Sequence, residues 1–242
     1  MARRRHVDAS PASPDGLLAR IGLPLDRDLL DLALTHRSYA FENGGLPHNE
    51  RLEFLGDAVL GLAAAEKLYE MFPDLPEGQL ARRRAAIVNM RALAGIARTI
   101  ELGQYIRLGR GEFLDGGRDK ASILADTTEA LIGAVHVGLG AEVSRTFVLD
   151  LLAPLLADET ALDAGFDYKT RLQEIAAETG DVPRYEITEH GPEHAKRYVA
   201  KVQVVGRVTG SGEGRSKKDA EQAAAEAAVR AVSSARGINP VS

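Results

Sequence analysis

Residues 49–61 read Asn-Glu-Arg-Leu-Glu-Phe-Leu-Gly-Asp-Ala-Val-Leu-Gly, and no other stretch constrains the chain as much. Glu50, Glu53 and Asp57 stand three and four residues apart. On a helix turning ~100° per residue they share one narrow face. Leu52, Leu55, Val59 and Leu62 form the apolar stripe, while Phe54, Ala58 and Leu60 leave little polar surface beside the acids. An ordinary amphipathic helix turns its carboxylates away from its apolar side. Like charges one turn apart repel, and Gly56 in mid-helix costs ~1 kcal/mol relative to alanine. A sequence that tolerates both costs points to a held cation and to close approach at the Gly56 backbone.

A second acidic pair lies in Ser-Ile-Leu-Ala-Asp-Thr-Thr-Glu-Ala-Leu-Ile-Gly at 122–133. Asp126 and Glu129 share a helical face, and Leu124, Ala125, Leu131, Ile132 and Val135 mark that helix as largely buried. Two buried helices presenting carboxylates inward are a recurring way to hold hard divalent cations. Isolated carboxylates in such a place are costly, and an ion removes the cost by pairing them. The chain has no Cys, which excludes disulfides and thiolate metal sites. Oxygen donors without nearby imidazole favour Mg²⁺ or Mn²⁺ over zinc. His36 and His136 read as structural.

The 242 residues carry a net charge of −5, the wrong sign for a simple nucleic-acid binder. Residues 1–164 carry −6 and residues 165–242 carry +1, so any contact with nucleic acid rests on local clusters. No apolar run approaches the ~18–20 residues of a membrane span. The basic start, Met1 to Gly16, lacks the apolar region of a signal peptide. These features predict a disordered arm over 1–14 and a cytoplasmic protein without membrane contact.

Periodicity predicts an all-α domain over 15–157, a linker over 158–165, a small α-β-β-β-α domain over 166–234 and a disordered tail over 235–242. In the first domain, helices are expected at Asp15–Arg20 and Arg27–Leu34, and from about Pro47 or His48 to Met71 with Asn49 near its start as a candidate cap. One long helix is expected from Glu77 to Glu101, where apolar residues recur at threes and fours. A Gly-rich loop from Gly103 to Asp119 precedes helices at Lys120–Gly138 and Ala141–Leu156. In the second domain, a helix at Tyr168–Thr179 is followed by strands at Tyr185–Glu189, Arg197–Val205 and Arg207–Ser211. An Ala-rich helix, Ser216–Val232, closes it with Ser216 as its N-cap.

The run at 49–61 resembles the signature of the ribonuclease III family, and Ala-Asp-Thr-Thr-Glu-Ala-Leu-Ile-Gly at 125–133 resembles that family's second catalytic segment. The resemblance spans roughly residues 15–234. It implies a homodimeric, all-helical endonuclease that cleaves double-stranded RNA with Mg²⁺ (Mn²⁺ substituting) and no organic cofactor. It implies 5′-phosphate and 3′-hydroxyl products and a place in processing structured RNA such as ribosomal precursors. Carried over by position, Glu53, Asp126 and Glu129 are metal ligands, and Asp57 and Glu129 are catalytic. Loss of Glu129 would abolish cutting but not RNA binding. Glu50 and Glu77 are further acids of the catalytic valley, and Phe54 is the aromatic that packs into the partner subunit. A catalytically silent relative would lack one of these acids; none is missing.

The C-terminal part is similar to a double-stranded-RNA-binding domain. Asp167 to Glu174 resembles its first helix, with Thr170 and Gln173 at the minor groove. Gly191 to His194 resembles the loop between its first two strands, with His194 in the next minor groove. Gly214 to Gln222 resembles the start of its last helix, where Ser216, Lys217 and Lys218 face phosphates. Such domains span ~16 bp and read A-form shape rather than sequence. One departure stands out: Asp119 lies in a loop that is more uniformly basic in relatives, which puts a phosphate contact there in doubt.

Overall fold

The computed structural model describes residues 11–162, 167–178, 180–192, 195–204 and 207–236. His194, residues 1–10 of the expected arm and residues 237–242 of the expected tail lie outside the described residues. Two compact units emerge. The first comprises α1 (Pro14–Ile21), α2 (Arg27–Ala33), α3 (Arg37–Glu42), α4 (Glu50–Met71), α5 (Glu77–Val88), α6 (Met90–Thr99), α7 (Arg110–Leu114), α8 (Ala121–Leu139), α9 (Ala141–Leu156) and α10 (Glu159–Leu162). The second comprises α11 (Tyr168–Ala177), β1 (Arg184–His190), β2 (Arg197–Val204), β3 (Arg207–Gly214) and α12 (Lys217–Arg236).

Helix α8 is the axis of the first unit. Ile123 to Ala125, Thr127, Thr128 and Ala130 to Val135 are all buried, so it is covered nearly all round. A helix of that composition belongs inside a domain, and α2, α4, α6 and α9 pack around it. Leu124, Leu131 and Ile132 are each no more than 1% exposed. Each such side chain contributes ~1.5–3 kcal/mol by leaving water. Short helices start on side-chain caps: Ser13 accepts from the Asp15 N–H, and Asp26 from those of Asp28 and Leu29.

Three expectations are corrected. The single helix Glu77–Glu101 is two helices, broken at Asn89. Asn89 is extended, and its side chain accepts from the Ala92 N–H at 3.0 Å while its Nδ2 donates to the Ala86 carbonyl at 2.7 Å. One amide therefore ends α5 and starts α6, although the apolar spacing runs on through it. The Gly-rich stretch from Gly103 to Asp119 is not plain loop: it contains α7 and 3₁₀ turns, one at Leu102–Tyr105 and one at Gly117–Asp119. Asn49 precedes α4 but does not cap it with its side chain. Within 158–165, α10 forms and buries Leu162 against the first core.

The second unit is an antiparallel sheet in the order β1-β2-β3, with α11 and α12 packed together and α12 against β2 and β3. Its core joins Tyr168, Leu172 and Ile175 to Val202 and Val204 of the sheet and to Ala224, Ala228 and Val229 of α12. The Ala-rich character of α12 has a steric cause on β3. A Cβ on Gly210 would lie 2.3 Å from the Ala224 carbonyl oxygen, and one on Gly212 would lie 2.3 Å from the Ala224 nitrogen. The helix backbone lies directly on the strand, so only small residues fit on both sides. Ser216 caps α12, accepting from the Asp219 N–H at 3.1 Å.

Candidate active site

The acids come together because α4 and α8 touch backbone to backbone. A Cβ on Gly56 would lie 1.7 Å from the Glu129 carbonyl oxygen, and one on Gly133 would lie 2.1 Å from that of Leu52. Only glycine permits this approach. It sets Glu53 and Asp57 of α4 beside Asp126 and Glu129 of α8. Carboxylate oxygens of Glu53, Asp126 and Glu129 lie within 4.8 Å of one another.

Electrostatics in this cluster are adverse while no cation is bound. Burial, then the charges of Asp57, Asp126 and Glu53, push the Glu129 carboxyl up to about 7. Burial and neighbouring acids also raise Glu53. Burial raises Asp126 too, against the opposing pull of His36 and Arg37. Three partly buried carboxyls that resist ionisation fit a hard divalent cation, whose charge removes their mutual repulsion. Asp57 is exposed at the edge, and its charge is the largest one acting on Glu129.

Glu53 and Asp126 also line a cleft of about 260 Å³ with Glu50, Asn49, Ser122 and Ile123. His36, Arg37, Glu112 and Lys120 complete its lining. Arg37 pairs with Glu50 at 3.4 Å and Lys120 with Glu112 at 2.9 Å. His36 is structural here: its Nδ1 accepts from the Ser38 N–H and starts α3, as expected from sequence. Glu112 is a cleft residue that sequence reasoning missed, whereas Lys120 ends the loop at 116–120 already tied to a phosphate contact. The two stand eight apart in a stretch without helical period, and the only signal for Glu112 is its place in a Gly-rich connection, where function concentrates. Asp119 is paired although its side chain is exposed: Arg98 of α6 binds its carboxylate at 2.6 Å and its carbonyl at 2.9 Å.

Glu77 does not line this cleft. It starts α5 and lines a separate groove of about 390 Å³ with Glu66, Tyr69 and Arg84 over Ala65, Leu68, Leu80 and Ala81. Phe54 is 81% exposed, which excludes core filling within one chain.

In the second unit, Thr170 and Gln173 are exposed on α11, and Lys217 and Lys218 are exposed at the start of α12. Asp167 caps α11 and accepts from the Thr170 hydroxyl at 2.7 Å. The same carboxylate accepts from Gln222 of α12 at 3.1 Å, and Lys169 pairs with Glu221 at 2.6 Å. These bonds tie together the N-terminal ends of the helices that carry the expected RNA contacts.

Residues 26–156 match the Ribonuclease-III-like family model, and residues 168–232 match the double-stranded RNA binding motif. The chain is 57% identical to ribonuclease 3 of Thermobifida fusca over 93% of its own length and 95% of the relative's. It is 55% identical to ribonuclease 3 of Streptomyces coelicolor, over 96% and 84% of the two chains. Among solved structures, the nuclease domain of ribonuclease III from Campylobacter jejuni is 40% identical with a TM-score of 0.56, covering 59% of this chain and 97% of that one. The helical first unit and the α-β-β-β-α second unit agree with these matches: the chain belongs to the ribonuclease III family, an endoribonuclease with a C-terminal double-stranded-RNA-binding domain.

Proposed function

We propose that the protein is a homodimeric, divalent-metal-dependent endoribonuclease that cuts both strands of double-stranded RNA. Its products carry 5′-phosphate and 3′-hydroxyl ends, and its substrates are structured RNAs such as ribosomal precursors. The observation that carries this reading is the approach of Glu53, Asp126 and Glu129 within 4.8 Å of one another. These three would hold Mg²⁺, or Mn²⁺ in its place. When bound, such a cation polarises a phosphoryl oxygen and makes water a better nucleophile. Asp57 adds negative charge beside Glu129 and favours keeping a cation there. The α11 and α12 ends, with Thr170, Gln173, Lys217 and Lys218, would hold the duplex by its shape and phosphates.

The dimer reading is supported by the outer face of α4. Phe54, Leu62 and Tyr69 are 81%, 62% and 71% exposed. At ~100° per residue they fall within about a quarter turn of one another. An apolar stripe on a long helix marks an interaction surface, and the Campylobacter jejuni nuclease domain has a region involved in dimer formation. In a two-fold pairing, each contact occurs twice. Phe54 of one chain would meet the apolar groove at the far end of the other chain's α4. Glu77, which lines that groove, would then approach the partner's acids, and two centres would face one duplex.

A labelled duplex incubated with Mg²⁺ or with EDTA tests the reading. The parent is expected to cut only with the cation. Glu129→Ala is expected to retard the duplex in a gel without cutting it. Cutting by that variant at the parental rate would overturn the site assignment.

A further inference from the structure

We infer that Asp167 is a positioning residue that sets which chemical groups of a duplex α11 can read. It holds the Thr170 hydroxyl as a hydrogen-bond acceptor, so that this position takes a donor from the minor groove: a ribose 2′-hydroxyl or a guanine amino group. The inference rests on the function proposed above, which puts Thr170 at the duplex. Thr170 is exposed in the first turn of α11, and the exposed Gln173 follows one turn later on the same face. A free hydroxyl both donates and accepts, and it rotates to suit its neighbour. This one is not free: it donates to Oδ2 of Asp167 at 2.7 Å.

The carboxylate fixes the direction of that bond, because an ionised carboxylate only accepts. Bonds from the Thr170 hydroxyl first, then from the Thr170 N–H and the Gln222 amide, hold the Asp167 carboxyl below its usual range against the opposing effect of burial. The hydroxyl proton is therefore committed to Asp167, and only lone pairs remain for a ligand. The carboxylate is itself held in place by its other oxygen. Oδ1 accepts from the Thr170 N–H and from Nε2 of Gln222 on α12, each at 3.1 Å. Two helices thus orient one hydroxyl.

An acceptor without a donor sets the class of ligand. A-form RNA displays 2′-hydroxyls and base edges in its wide minor groove. Of the groups there, the 2′-hydroxyl and the guanine amino group donate, while the other base-edge atoms only accept. Thr170 would bind the first two and reject the rest, since two acceptors face to face leave both unsatisfied. Deoxyribose has no 2′-hydroxyl, so a sugar contact would also separate RNA from DNA. Asp167→Asn would reverse the polarity. Its carbonyl oxygen would keep the cap, where asparagine serves as well as aspartate. Its amide nitrogen would face Thr170 and donate, which turns the hydroxyl proton outward.

The test measures the affinity of the full chain for three duplexes of one sequence, in EDTA so that nothing is cut. One is ordinary RNA, one carries 2′-fluoro sugars throughout, and one carries inosine in place of guanine. Fluorine keeps the A-form sugar pucker but cannot donate, and inosine lacks the minor-groove amino group. The parent is expected to bind ordinary RNA about fivefold or more tightly than one of the modified duplexes. Thr170→Val and Asp167→Asn are each expected to shrink that preference about fivefold. Shrinkage in the fluoro arm identifies a 2′-hydroxyl as the donor, and shrinkage in the inosine arm identifies a guanine amino group. A variant that merely disturbs the fold weakens all three duplexes alike, so unchanged ratios in both variants would overturn the inference. A ratio changed in Thr170→Val alone would also overturn it, because Thr170 would then accept without help from Asp167. A parent that binds no duplex would remove the proposed function and this inference together, an outcome distinct from tight binding with unchanged ratios.

Discussion

Glu129 shows how one residue joins fold to chemistry. Its carboxyl is pushed from an ordinary 4.5 up to about 7 by burial and by three neighbouring acids. A folded-state pKa above the unfolded one means that the folded chain binds the proton more tightly. The resulting stabilisation is complete below about 4.5 and is lost as pH rises through about 7. The cation-free protein is therefore expected to melt at lower temperature at pH 8 than at pH 5.5. Glu129→Gln should flatten that dependence, and added Mg²⁺ should offset the loss at pH 8 in the parent alone. Equal slopes for parent and variant, measured by calorimetry, would rule the explanation out. The residues behind this behaviour were legible in sequence, because helical spacing alone groups Glu53 with Asp57 and Asp126 with Glu129. Asn49 was not: asparagine before a helix reads as a cap, and only the fold reveals it lining a cleft. The Arg98 partner of Asp119 was hidden for a similar reason, since it lies 21 residues away.

At the scale of elements, the decisive contact is α4 against α8. Gly56 drew notice in sequence as a local cost without a local benefit, and the benefit lies on another helix. Periodicity assigns a residue to a face but does not say which partner that face meets. For the same reason, the Asn89 break and α7 escaped sequence reading: one is a single cap inside a continuing apolar pattern, and the other is shorter than the periods that reveal helices. Gly56→Ala would place a methyl 1.7 Å from a carbonyl oxygen, so the helices must part. The expected cost is about 3 kcal/mol or more in urea unfolding, with weaker Mg²⁺ binding in the fraction that folds. Gly95 of α6 is the matched control, since a Cβ there meets nothing within 4 Å. Gly95→Ala is expected to stabilise by up to ~1 kcal/mol through helix propensity. Similar losses at both glycines would refute the contact's role.

For the whole molecule, composition was the least informative guide. A net charge of −5 gave no hint of RNA binding, because it sums a few exposed lysines at the start of α12 with acids gathered elsewhere in the chain. The two-part organisation separates holding from cutting, and variants can test that separation. Phe54→Asp places a charge on the exposed stripe of α4. It is expected to shift the protein from dimer to monomer in sedimentation equilibrium and to abolish cutting, while duplex binding through the second unit persists. A Phe54→Asp protein that stays dimeric would move the interface elsewhere. Replacing both Lys217 and Lys218 with Glu acts on the other half. Each lysine that neutralises a phosphate releases a counterion, so the slope of log affinity against log salt should shrink by about 2. The same variant should bind Mg²⁺ as tightly as the parent, because no metal ligand has changed. An unaltered salt slope would show that the α12 start does not touch the duplex, and would leave α11 as the surface to test next.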